Sequence, residues 1–167
     1  ISRRKFDEAK ALADSFPAGN PKADSINLLI ANGYYRSQEV EKAKAIYESF
    51  FKKFGKTAPT DPDLKKFYME AAYTYAQMME MAGNMAAAAD AYDRVLSTKP
   101  EPGIARKLMV DQGMLYLALA KKAPGPEQVK FLERVQALSE EVLYGGQDVL
   151  FGQAIINLAN IKVIQSN

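Results

Sequence analysis

The feature that most constrains this chain is the set of turn signals that cuts it into helical segments. Six short Pro-, Gly- and Asn-rich stretches punctuate the sequence: FPAGNPK at 16–22, GKTAPTDPD at 55–63, AGN at 82–84, TKPEPG at 98–103, APGP at 123–126 and YGGQD at 144–148. Between them the apolar residues recur with a helical period, and alternating β-branched runs are missing. The reading predicts an all-α chain of about eight helices, near 3–15, 24–36, 39–54, 62–81, 85–98, 103–121, 127–143 and 148–165.

Composition narrows the chemistry. The 167 residues are 48% hydrophobic and 25% charged, ordinary for a folded domain and unlike a disordered chain. A net charge of +2 gives no global field to attract nucleic acid. The basic cluster Arg3, Arg4, Lys5 reads as a solvated helix start rather than a phosphate site. Cysteine and histidine are both absent, so the usual nucleophile–base pairs and the usual zinc, copper and haem ligand sets cannot be assembled. Asp90/Asp93 and Glu140/Glu141 lie on polar helix faces without a convergent third ligand. No phosphate-cradling glycine loop or nucleophile elbow is present. The expectation is a protein without catalysis, metal or cofactor.

The most apolar stretch, Val149–Ile164, is too short for a comfortable membrane span and carries Gln153, Asn157, Asn160 and Lys162, so direct membrane insertion is not expected. The chain opens at Ile1 without a secretion-signal layout, and it is read as a piece of a longer protein.

Self-similarity is the next constraint. IANGYYRS (30–37), YAQMMEMAG (75–83) and LANIKVIQ (158–165) align as first helices of hairpins, with QGMLYLAL (112–119) a weaker fourth. EKAKAIYESFF (41–51) and AAADAYDRVL (87–96) align as second helices, each placing an alanine four residues before a tyrosine, Ala43–Tyr47 and Ala88–Tyr92. Within the alanine run Ala86–Ala89, Ala88 falls where a second helix crosses a first beside Ala76, while Ala86 and Ala87 mainly favour the helix itself.

This pattern resembles the tetratricopeptide repeat family. Residues 69–102 carry it best: Ala72, Tyr75, Ala76 and Met79 on the first helix, Gly83-Asn84 at the turn, Ala88, Tyr92, Val95 and Leu96 on the second, and Pro100 closing. The unit at 24–56 fits through Ile30, Ala31, Tyr34, Ala43, Tyr47 and Phe51, and the unit at 103–144 is degenerate, with Gly113 and Tyr116 its main matches. The resemblance implies one domain over 1–167: a half repeat at 1–20, repeats at about 24–56, 64–102 and 103–144, and a terminal helix at 148–165, wound as a right-handed superhelix of antiparallel hairpins. The longer units are also similar to divergent repeats of bacterial cell-envelope proteins, which leans the localisation towards periplasm or envelope.

The resemblance further implies a protein-interaction or scaffold module that holds a peptide or protein segment in a concave groove lined by the first helices. By helical spacing the groove residues are Asn32, Tyr35, Arg36, Tyr73, Gln77, Met81, Met114 and Asn160. Asn32, Gln77 and Asn160 fall at one equivalent point, suited to a peptide backbone. The lysines with which chaperone-binding members clamp a terminal carboxylate are replaced here by Leu28, Tyr73, Val110 and Ile156. An apolar or mixed segment is therefore the expected ligand. The alternative is a structural module that self-associates or stacks on neighbouring domains through its terminal helix, where Phe151, Ile156, Val163 and Ile164 spread beyond the face that Ile155, Leu158 and Ile161 turn inward.

Overall fold

The helix starts are set by prolines and side-chain caps. In the computed structural model, which describes residues 3–166 with side chains from Lys5 onward, Asn20 accepts a hydrogen bond from the Lys22 amide (2.9 Å) and Pro21 opens the next helix. That helix therefore begins three residues before its apolar pattern does, because a proline at the first helical position gives up an N–H with no intrahelical partner. Asp61 caps Leu64 in the same way (2.8 Å) ahead of Pro62, and Asp148 caps Phe151 (3.0 Å). The side chains of Arg3 and Arg4 lie outside the described residues.

Among the described residues eight helices follow in order: α1 Arg3–Asp14, α2 Pro21–Arg36, α3 Val40–Phe54, α4 Pro62–Met81, α5 Met85–Ser97, α6 Pro102–Ala120, α7 Gly125–Tyr144 and α8 Val149–Gln165. No strand occurs among the described residues. The all-α expectation holds, with helix ends displaced by up to three residues.

Two hairpin turns close by the same device at a 45-residue offset, the spacing between Ala31 and Ala76. After α2 the Glu39 amide donates to Tyr34 O (2.9 Å) across Gln38, which has a positive φ of 62°. After α4 the Asn84 amide donates to Met79 O (2.8 Å) across Gly83, at φ 73°. Both are left-handed C-terminal closures that satisfy carbonyls the helix leaves open. Glycine takes this conformation freely, whereas Gln38 takes it under strain. Asn84 then turns to the next helix and accepts from the Ala87 amide at 3.2 Å. The same offset relates Ala43 to Ala88 and Tyr47 to Tyr92, and all four side chains are buried. The α6–α7 turn closes differently, by Lys121 to Leu117 O and Ala123 to Leu119 O, so the repetition stops there.

The chain forms two compact units: one to Gln77 together with Asp93–Thr98, the other Met78–Tyr92 and from Lys99 onward. In unit 1, α1 packs on α2 and α2 on α3. The Phe6 and Tyr34 rings stack with centroids 4.4 Å apart. An aromatic cluster of Tyr47, Phe50, Phe51 and Phe54 from α3 with Tyr68 and Tyr75 from α4 forms the core, and the Arg94 guanidinium lies 4.9 Å over the Phe51 ring. Asp24 on α2 pairs with Lys53 on α3 at 2.6 Å.

In unit 2, α6, α7 and α8 pack against one another in all three pairs. One core cluster joins Leu117 and Ala120 to Leu132, Val135 and Ile161, and a second joins Val110, Val142 and Ala154. Gly113 lets α8 approach: a Cβ there would sit 2.9 Å from Asn157 Nδ2. Met78 and Met79 are buried as core, Met85 is half-buried and Met81 is exposed.

Candidate functional site

Helix phase decides which side chains can meet a partner. On α2 the buried residues are Leu28, Ile30, Ala31, Asn32 and Gly33, leaving Leu29 and Arg36 outward and Tyr35 half-exposed. On the unit 1 part of α4 the outward residues include Asp63, Lys66, Glu70, Tyr73 and Gln77. The α2 and α4 faces meet through Glu70, whose Oε1 accepts from Asn32 Nδ2 (3.3 Å) and lies 3.9 Å from the Arg36 guanidinium. Between the N-terminal halves of these helices lies an open cavity of about 610 Å³, lined by Phe16, Lys22, Ser25, Ile26, Asp63, Lys66, Phe67 and Glu70.

Asn32 is turned inward. It is only 8% exposed, its amide donates to Glu70, and its oxygen accepts from the buried Tyr47 hydroxyl. Tyr35, Arg36, Tyr73 and Gln77 keep solvent-accessible surface on unit 1. Of the groove residues that fall in unit 2, Met81 is 84% exposed, Met114 is exposed and Asn160 is half-buried. Leu29, Ile26 and Phe67 complete the unit 1 face. Phe67 carries no repeat signature that marks it in the sequence.

Two further amides are buried in unit 2. Gln112 donates to Ala89 O at 2.9 Å, and Asn157 donates to Val110 O at 3.5 Å. Like Asn32 they tie helices together rather than face outward. A buried amide with a partner specifies one packing, since any slip would strand it.

The phenols of unit 1 are electrostatically distinct. Burial raises the Tyr47 hydroxyl well above the ordinary tyrosine range, and the Glu70 charge adds to it. Tyr75 is pushed up to about 12, first by burial and then by its hydrogen bond to Glu48 (3.0 Å). Burial raises Tyr68 too, partly offset by Arg94. Because the folded values exceed the unfolded value of about 10, their stabilisation is complete below pH 10 and is lost as pH rises through the folded values. Far-UV dichroism followed against tyrosinate absorbance is expected to show part of the phenol ionisation arriving only as helix is lost, shifted in Tyr75→Phe. Full ionisation with helix intact would contradict this.

Among the described residues no group of three or more metal-ligating side chains converges, and no helix is long and apolar enough to cross a membrane. Comparisons with protein-family models, curated proteins and solved structures give no match to this chain.

Proposed function

We propose that this protein is a non-catalytic binding module whose hairpins wind as a tetratricopeptide-like superhelix and whose α2/α4 face holds an extended or helical segment of another protein. The observation that carries this reading is the exposure of Leu29 (51%) and Tyr73 (38%) on that face beside an apolar-walled cavity. Large apolar side chains left in water next to a cleft mark interaction sites more often than scattered ones do. The 45-residue recurrence of turn geometry supports the repeat reading, and a chain without His or Cys supports the absence of catalysis. Tyr35, Arg36 and Gln77 would border the segment in unit 1.

The test is selection of peptides from a displayed library on the whole chain, followed by anisotropy titration of the selected peptides. Leu29→Ala/Tyr73→Ala is expected to weaken binding about tenfold or more, at about 1–2 kcal/mol for each truncated contact. Its melting temperature should stay close to that of the parent, because both side chains are surface-exposed. Unchanged affinity would remove the assignment.

The apolar outer stripe of α8 favours a second reading, self-association of two copies. Val149, Ile156 and Val163 line one side of the helix, with Ile156 54% and Val163 58% exposed, while Ala154, Asn157 and Ile161 face inward. Ile155 is exposed as well, rather than covering the core as its spacing suggests. Sedimentation over a concentration series is expected to show a dimer that Ile156→Glu abolishes. A monomer throughout would exclude this reading.

A further inference from the structure

Asn32 alone among the asparagines of the sequence is followed by glycine: Asn20 precedes proline, Asn27 and Asn157 leucine, Asn84 methionine and Asn160 isoleucine. An asparagine side-chain amide is an electrophile towards the backbone nitrogen of the next residue, and the two close a cyclic imide when that nitrogen swings onto Cγ. Glycine, with no Cβ and a free choice of φ and ψ, permits the swing. A long or branched side chain crowds it, and a proline nitrogen has no proton to lose. The pair Asn32-Gly33 therefore carries a reactivity that the other asparagines lack.

The fold holds that reactivity in check. Both residues are buried in α2. Asn32 Nδ2 donates to Glu70 (3.3 Å) and its Oδ1 accepts from the Tyr47 hydroxyl, which fixes Cγ between α3 and α4. Gly33 lies inside the helical ladder, its carbonyl accepting from the Ser37 amide at 3.1 Å. Its nitrogen reaches Cγ only if that turn of helix opens and Asn32 releases both partners.

We infer that Asn32-Gly33 is a self-modification site, kept closed by the packing of α2 against α3 and α4, whose conversion prevents unit 1 from closing again once it has opened. The Gly33 nitrogen loses its proton to solvent hydroxide and bonds to Asn32 Cγ. The Cγ–Nδ2 bond breaks, and Nδ2 takes a proton from water and departs as ammonia. Water then adds to one carbonyl of the imide and cleaves its C–N bond: at Cγ this leaves aspartate, at the main-chain carbonyl isoaspartate. The net change is amide hydrolysis, with water the one co-reactant.

Neither product refits. Aspartate keeps an oxygen for the Tyr47 hydroxyl but sets a second carboxylate where an N–H had met Glu70. Two like charges then share a poorly solvated site. The Arg36 guanidinium, 3.9 Å from Glu70 and 77% exposed in its side chain, offsets that repulsion only weakly. Isoaspartate routes the main chain through Cγ, and the extra backbone atom breaks the i→i−4 ladder of α2.

The experiment incubates the whole protein at mildly alkaline pH, folded and in guanidinium chloride, and follows residue 32 by peptide mass mapping and isoaspartyl methyltransferase labelling. In guanidinium, conversion at Asn32 is expected to outpace every other asparagine. In the folded protein it should run at least about tenfold slower, because only the opened fraction reacts. Tyr47→Phe, which frees Asn32 Oδ1, should speed conversion in the folded protein and leave the rate in guanidinium unchanged. Asn32→Asp, the product made directly, should lower the denaturant midpoint of unit 1. Equal rates folded and unfolded, a folded Tyr47→Phe protein that converts no faster than wild type, or an unaltered midpoint in Asn32→Asp overturns the inference. Should Asn32→Asp fail to fold, the paired rates of wild type and Tyr47→Phe still decide.

Discussion

Replacing Arg106 by alanine is expected to destabilise unit 2 by about 2–3 kcal/mol, read as a lowered urea midpoint of its helical signal. Arg106 leaves the first turns of α6 and is 13% exposed in its side chain. Its Nε donates to Val142 O (3.2 Å) at the end of α7, one Nη to Gly146 O (3.0 Å) in the α7–α8 turn, and both Nη groups to the Asp148 carboxylate (2.7 and 3.1 Å). One side chain thus fastens the end of one helix, the turn after it and the cap of the next. Asp148 is half-exposed, so its ion pair counts for little in water, although Arg106 holds its carboxyl below the ordinary range. The two carbonyls and the position of the turn carry most of the expected loss.

Gly145 provides the sharper version of the same test. Its φ of −84° suits any residue, so alanine meets no backbone strain. A Cβ there would lie 2.2–2.8 Å from Nε, Cδ and Cζ of Arg106, in the middle of a side chain held by four hydrogen bonds. Gly145→Ala must therefore expel the guanidinium and is expected to cost about as much as Arg106→Ala. In the Arg106→Ala background it should be nearly neutral. A double-mutant cycle with additive losses would contradict this account.

The second large effect is expected at Asn32. Asn32→Ala leaves the fully buried Tyr47 hydroxyl without the amide oxygen it donates to, at a cost of about 2 kcal/mol. Tyr47→Phe removes the donor instead, and the double variant should recover part of the loss. Guanidinium unfolding of unit 1 measures all three. Asn32→Ala would also lower apparent binding, but through the folded fraction, so the defect should shrink on cooling towards the temperature of maximum stability. A temperature-independent binding defect with unchanged stability would instead return Asn32 to the contact surface.

The contrast between Asn32 and Tyr73 shows where sequence reasoning reaches. Seven of the eight helical segments were legible as stretches that proline- or glycine-bearing turns cut from one continuous helical period, the α2–α3 break at 37–39 having neither residue, and Gly113 sits at a close approach that a side chain would obstruct. The outward placement of Tyr73 and Met81 followed from that period. Asn32 did not, because on α2 consecutive buried positions from Ile30 to Gly33 wrap past a single stripe, and an amide in such a run is ambiguous until its partner is known. That partner, Tyr47, lies one helix away. Arg106 was hidden for a related reason: its contacts span 36 to 42 residues, and only the pairing of a Gly-Gly turn with an Asp cap hinted that a side chain must pass there. Phe67 and Lys66 gained meaning only when α2 was set beside them.

Mapping the backbone amide resonances of the whole protein during titration with a peptide selected from the displayed library tests the central claim most directly. The account predicts saturable shifts concentrated at Ile26, Leu29, Phe67, Glu70 and Tyr73, and weakened in Leu29→Ala/Tyr73→Ala. Shifts confined to other surfaces, or none at saturating peptide, would contradict it.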